Sequence, residues 1–391
     1  MDLTDRIRRR QRRSGNRAVV LNYEPINPVA HVEEPTGRGP ILERVLDYLD
    51  PVFEGSLPGN AYLWGPAGSG KSAIVTALFD RLGVVTVQSR TVIHTTTRAQ
   101  PVELPRFVYV NAREAATEFQ FYHAVLDGLT DSDVPKKGVS TTELHTRLED
   151  RLRTTPGTVV AVDHVDEPRS LSPARVLESL TDLDGQLSTV LVGRTPPGDL
   201  GIPEPTSEIE VPAYSQQVLI DVLMTRGSAG LARDALGHTQ ARRIASWARG
   251  NAHDALSALF GAAEQADSAG AERIRESDVD GGIEAVPQPC VSLGIVLTLP
   301  ENRQRVLREL LTIDEVDRES VTTTTDAIAA SPTVDLSSGT VKRFLYELAE
   351  SGVVERVTAD QPSGHGRPPS RVEPRFPTLV FERLYDLRAD Q

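Results

Sequence analysis

Ala61-Tyr62-Leu63-Trp64-Gly65-Pro66-Ala67-Gly68-Ser69-Gly70-Lys71-Ser72-Ala73 decides how this chain is read. The first four residues are apolar and make a short buried strand, and the run from Ser72 to Leu82 has helical spacing. The turn between them, Gly65 to Ser72, matches G-x-x-x-x-G-K-[ST] at every fixed position, in the strand–turn–helix context that the motif requires. Gly65, Gly68 and Gly70, with Pro66, Ala67 and Ser69 between them, let backbone N–H groups curl around phosphate oxygens. The N-terminus of the following helix adds partial positive charge. Lys71 places a cation on the outer phosphates, Ser72 offers a hydroxyl to Mg2+, and the Ala73 N–H reaches the inner phosphate. The ligand selected is a purine nucleoside triphosphate, ATP (or ADP) with Mg2+.

Outward from this turn, strands and helices alternate. Phe107 to Val110, Val159 to Val162, Thr189 to Val192 and Glu208 to Val211 read as four further strands, with a helix from Glu114 to Leu129. Apolar strands alternating with helices give an α/β fold with a parallel sheet covered on both faces. Residues from Gln216 to about Ala271 carry helical spacing and no strand signal. The stretch from Gly281-Gly282 to Pro289 reads as a linker. Beyond it come helices at Glu301 to Leu311, Thr322 to Ala330 and Ser337 to Ser351, with Ser337 as N-cap and Gly352 as C′ residue. Val353 to Val357 and Arg371 to Phe376 then form a hairpin, the layout of a winged helix.

A carboxylate at the end of a buried strand can hold the Mg2+ shell, and Asp163 stands there after Val159-Val160-Ala161-Val162. The next residue, where many such ATPases carry a glutamate base, is His164. A histidine can serve as a base or simply hydrogen-bond within the turn, and Glu167 lies three residues further on. Hydrolysis by this site alone is therefore expected to be weak or absent.

Composition narrows the setting. The 391 residues carry 42 Lys+Arg against 55 Asp+Glu, a net charge of −13, and only four of the basic residues are lysines. Excess carboxylate with arginine in place of lysine fits a halophile, although a GC-rich genome also favours arginine. The acidic total argues against a uniformly basic DNA-coating protein. Residues 1–17 hold seven arginines, either a phosphate-holding arm or a solvated tail. One cysteine, Cys290, excludes an internal disulfide. With no signal-type or membrane-spanning run, this points to a reducing cytoplasm and to no membrane association. His123, His145 and His365 show no metal spacing with Cys290. Trp64 and Trp247 read as core residues.

From about Leu21 onward the chain resembles the archaeal origin-recognition and cell-division-cycle type replication initiators, which join an AAA+ ATPase to a winged helix, and it looks like a divergent paralogue. The likeness rests, in order, on Asn22-Tyr23-Glu24-Pro25, the P-loop, Asp163-His164-Val165-Asp166, Val211-Pro212-Ala213-Tyr214 with Ile220, Val222, Leu223 and Arg226, and Val341 to Val354. It implies an AAA+ P-loop sheet with a helical lid plus a C-terminal winged-helix domain. The divisions would be 1–20 basic arm, 21–212 nucleotide-binding domain, 213–285 lid and 286–391 winged helix. It also implies nucleotide contacts from Tyr214 and Arg226. Gly250-Asn251-Ala252-His253-Asp254 places His253 where the lid's arginine sensor is expected. Val192-Gly193-Arg194-Thr195 lacks the usual asparagine sensor, Thr195 being a weak substitute, and no arginine finger lies between Pro196 and Val211.

The partner implied is double-stranded DNA at origin-like sites, together with a replicative helicase and other initiator subunits. The third C-terminal helix would enter the major groove, presenting Thr340, Lys342 and Arg343, with Arg367 and Arg371 on the wing. Arg343 is suited to a guanine edge or to a phosphate. Lys136 and Lys137 match a region where an insertion touches DNA in the family; a solvated loop is the alternative. A transcription or signalling switch built from the same modules is the competing function.

Overall fold

In the computed structural model the described residues are 18–91, 103–130, 132–167, 170–181, 183, 186–201, 207–358 and 370–389. They fall into two units, one from His31 to Tyr214 and one combining 18–30 with the chain from Ser215 onward.

The first unit is built on a five-stranded parallel sheet: β1 (Ala61–Trp64), β2 (Arg106–Asn111), β3 (Thr158–Asp163), β4 (Leu187–Gly193) and β5 (Ser207–Glu210), in the order β2-β3-β4-β1-β5. Each strand lies within two residues of its sequence assignment. Alternation along the strands sorts the apolar side chains onto two faces. Tyr62, Val108, Val110, Val160, Val162 and Leu191 meet one set of helices: α3 (Glu118–Leu129), α4 (Thr141–Arg153) and α5 (Pro173–Thr181). Ala61, Leu63, Val159, Ala161, Val190 and Val192 meet α1 (Gly39–Phe53) and α2 (Lys71–Thr91) on the other face. Helix α3 begins at Glu118 rather than Glu114. Thr117 accepts from the Gln120 N–H while Gln120 reaches back, a capping box that fixes the start. Helices α1, opened by Gly39-Pro40, and α4, capped by Ser140, are additions to the sequence reading.

The second unit is helical, with one hairpin. Helices α6 (Gln216–Gly230), α7 (His238–Ala248) and α8 (Ala252–Ser268) fill the stretch read as helical. The expected linker is corrected here. Gly281 and Gly282 lie inside α9 (Glu276–Glu284), and the irregular connection occupies 285–292. A Cβ on Gly282 would sit 2.4 Å from the Ala258 carbonyl oxygen and 2.6 Å from the Ala262 nitrogen. These glycines therefore serve close helix contact rather than flexibility.

A short α10 (Leu293–Leu297) leads into α11 (Glu301–Thr312), α12 (Val321–Ala330) and α13 (Ser338–Glu350). Ser337 accepts from the Thr340 N–H, and Gly352 has φ +74°, as the capping pattern requires. Strands β6 (Val354–Thr358) and β7 (Ser370–Pro374) pair antiparallel, and α14 (Thr378–Ala389) follows. The layout of three helices and a hairpin is thus present, and α14 is an addition that the sequence reading lacked. Arg308 of α11 ties α14 down through Glu382 (3.0 Å) and Asp386 (3.0 Å), and Leu379 approaches Gly261 of α8. The stretches divided as 213–285 and 286–391 accordingly form one unit. It also takes in residues 18–30: the Leu21 and Asn22 amides donate to the Gly230 carbonyl, and the Tyr23 hydroxyl donates to Glu264 at 2.5 Å. The basic arm's arginines at 1–17 lie outside the described residues. No helix among the described residues is long and apolar enough to cross a membrane.

Candidate nucleotide-binding site

Residues 65–70 leave β1 and turn into α2 at the carboxyl edge of the sheet, where open α/β folds hold ligands. Only glycine fits two of these positions. A Cβ on Gly65 would lie 2.1 Å from the Val211 carbonyl oxygen; one on Gly70, whose φ is +84°, would lie 2.5 Å from the Tyr214 hydroxyl. Gly68 also has a positive φ, +66°. The cradle is thus shaped by backbone approach, as a phosphate nest needs. Lys71 is 8% exposed and bonds the carbonyls of Gly65 (2.7 Å) and Pro66 (2.8 Å). Burial pushes its ammonium down to about 8, against the pull of Asp163.

Asp163 ends β3, buried, and accepts from Tyr109 Oη at 2.9 Å, with the Ser72 hydroxyl close enough to favour its charged form. Burial opposes its ionisation, but His164, Ser72 and Tyr109 outweigh that and hold its carboxyl below the usual range. A hydroxyl and an ionised carboxylate in mutual reach, beside a buried lysine, are a donor set suited to Mg2+.

An AAA ATPase domain family model matches residues 34–192, spanning both the P-loop and Asp163. ORC1-type DNA replication protein 1 of Aeropyrum pernix is 28% identical over 301 residues, 72% of this chain and 72% of its own length. This chain therefore carries an AAA ATPase domain and is a homologue of the ORC1-type DNA replication proteins. ORC1-type DNA replication protein 5 of Halobacterium salinarum is 26% identical over 68% of this chain and 66% of its own, a relative consistent with the halophile reading. In fold, the chain is similar to the Aeropyrum pernix ORC1 protein solved in complex with DNA. The TM-score is 0.62 at 22% identity, covering 95% of this chain and 97% of that one.

Beside the ATPase domain's P-loop lies a charge network that the sequence did not reveal. His164 sits in the left-handed region (φ +63°), held by its N–H to Asp163 Oδ1 at 2.7 Å. Its Nδ1 faces Glu167 Oε1 at 3.3 Å, so the ring turns toward Glu167. Glu167 is gripped by Arg113 Nε (2.5 Å) and Nη2 (2.7 Å), and by Arg194 Nη2 (2.5 Å). Burial opposes its charge, yet His164 and Arg113 hold its carboxyl well below the usual range. A carboxylate so bound is a poor base. Asp166 Oδ2 accepts the amides of Arg194 and Thr195, both at 2.5 Å, fixing the end of β4.

Arg38 is a further residue that the sequence reading missed. Its guanidinium lies 3.5 Å from the Tyr214 ring centroid and donates to the Pro212 carbonyl. It is 5% exposed, and its Nε has no protein partner. The available signal was a cation at the N-cap of α1, where the helix dipole disfavours it.

Tyr214 places its hydroxyl beside Gly70 of the P-loop. Arg226 and His253 belong to the other unit and are engaged there. Arg226 donates to the carbonyls of Pro25, Asn27 (2.8 Å) and Ala30 (3.2 Å), anchoring the segment after Tyr23. His253 Nε2 accepts the Leu293 amide at 3.0 Å, which leaves Nδ1 to donate to Asp254 (3.0 Å). Cys290 lies in the same cluster, its thiol pushed up by burial and by Asp254. Each imidazole nitrogen is already committed, so we read a hydrogen-bonded junction between α8 and the connection at 285–292 rather than a metal site.

Among the expected DNA contacts, Lys342 and Arg343 are exposed on α13, and Arg343 lies 3.7 Å from Glu347. Thr340 shares its hydroxyl with the Ser337 cap at 3.0 Å. Arg371 is exposed and pairs with Glu373. Lys136 and Lys137 stand on an exposed loop. Arg367 and His365 lie outside the described residues. Trp64 and Trp247 are half-buried rather than fully internal.

Proposed function

We propose that the chain is an ATP-binding DNA replication initiator. It binds origin-like double-stranded DNA through its C-terminal helices and hairpin, acting as a winged helix, and helps recruit the replicative helicase. The P-loop would hold ATP or ADP, with Tyr214 and Arg38 on its flank. Ser72 and Asp163 would hold Mg2+, whose charge supports the phosphates. Arg226 and His253 serve their own unit, Arg226 through the Pro25, Asn27 and Ala30 carbonyls and His253 through Leu293 and Asp254. In the place of the usual glutamate base, His164 is bonded to Glu167 and Glu167 is bonded to two arginines, so turnover by the isolated chain is expected to be slow.

One observation carries the reading: an intact nucleotide cradle in a chain homologous, over most of its length, to ORC1-type replication proteins. DNA affinity measured across a salt titration, for the chain's own genomic sites and for random duplex, tests the DNA arm. Counterion release weakens both. Specific binding should persist at salt that abolishes random binding, and parallel loss of both would remove the sequence-specific role. Genomic mapping should then place those sites at origins; enrichment at promoters alone would favour the transcription switch.

A further inference from the structure

Building on the nucleotide and Mg2+ reading, we propose that Tyr109 is a positioning residue for the metal: its hydroxyl aims the Asp163 carboxylate at the Mg2+ of a bound nucleoside triphosphate. Three observations converge. First, the two residues stand on neighbouring strands, one side-chain repeat apart. Tyr109 pairs with Ala161 and Asn111 pairs with Asp163. Tyr109 packs against the apolar cluster that includes Ile74 and Val75 of α2, and Ser72 lies in the first turn of that helix. From there its Oη donates to Asp163 Oδ2 at 2.9 Å. Second, the carboxylate is held at both oxygens. Oδ1 accepts the His164 amide at 2.7 Å, from a residue in the left-handed region. One donor on each oxygen fixes the plane of the carboxylate, and each oxygen keeps acceptor capacity for a metal or its water.

Third, the charges are sorted. Arg113, two residues beyond the end of β2, commits its guanidinium to Glu167 at 2.5 and 2.7 Å. The hydrogen bonds onto Asp163 come instead from a phenol and an amide. A guanidinium bonded to Asp163 would offset the negative charge that a divalent cation needs; a neutral hydroxyl orients the carboxylate and leaves that charge in place. A buried phenol requires an acceptor wherever it lies, and the acceptor here is the carboxylate placed for the metal. Such outer partners set the geometry of the groups that touch the ion.

The test uses the full chain. A fluorescent, non-hydrolysable ATP analogue is titrated into wild type, Y109F, Y109L, D163N and the Y109F/D163N double variant. Each titration is run with saturating Mg2+ and with EDTA, and thermal melting is the folding control. By linkage, the ratio of the two affinities reports how tightly the site holds the metal on its nucleotide. Y109F keeps the ring and loses only the hydroxyl. It should lower that ratio by about tenfold or more, the scale of losing an outer partner of a metal ligand, with affinity in EDTA unchanged. Y109L should match Y109F in the ratio while melting at a lower temperature. In the D163N background Y109F should change the ratio no further. An unchanged ratio in Y109F overturns the proposal and leaves the tyrosine a packing residue. Equal loss with and without Mg2+ overturns it as well, as does a further fall in the double variant. Wild type that binds equally in EDTA and in Mg2+ removes the metal role, whereas wild type that binds no nucleotide removes the reading on which the proposal rests.

Discussion

At Gly70 a side chain would have to share space with the Tyr214 hydroxyl, in a left-handed backbone conformation. G70A should therefore lower the stability of the ATPase domain by about 1–3 kcal/mol and abolish nucleotide binding, read by thermal melting and fluorescence titration. Glu167 sets a pH dependence. Its folded carboxyl ionises well below the unfolded value of about 4.3. In acid the unfolded chain binds the proton first, so this stability is present above that value and drains away as pH falls through the folded one. E167Q should cost about 3–5 kcal/mol near neutrality by leaving Arg113 buried and unpaired, and should flatten the acid limb of a denaturation-against-pH series. A wild-type steepness in the E167Q acid limb would contradict this. Single residues were legible where a motif names them, as at Lys71, Ser72 and Asp163. Arg38, Arg113 and Arg194 were not, because their partners are distant in sequence and only the fold brings the charges together.

The strands were legible because burial on both faces writes an unbroken apolar run, as in Val159-Val160-Ala161-Val162. Caps made α13 legible to within a residue. The Gly281-Gly282 pair misled because a glycine kept for close contact is the same letter as one kept for flexibility. G282V should wedge α9 away from α8 and destabilise the second unit by about 1–3 kcal/mol in denaturant unfolding. A silent substitution would return the segment to linker status. Helix α14 escaped notice because its partners, Arg308 and the Gly261 face of α8, lie far back in the chain.

For the whole chain, the two units part at Tyr214 and Ser215. The assignment of residues 18–30 to the second unit depends on contacts, such as Tyr23 with Glu264, that no local pattern encodes. With the nucleotide cradle in one unit and Lys342 and Arg343 in the other, the two activities should separate by mutation. K342A and R343A should each weaken DNA binding and reduce the salt slope by about one, with nucleotide affinity unchanged. The most direct check of the central claim is titration of fluorescent ATP with Mg2+ into wild type and K71A. The account predicts saturable binding by wild type and a loss of at least about tenfold in a folded K71A chain; equal affinity in the two, or no binding by either, would contradict it.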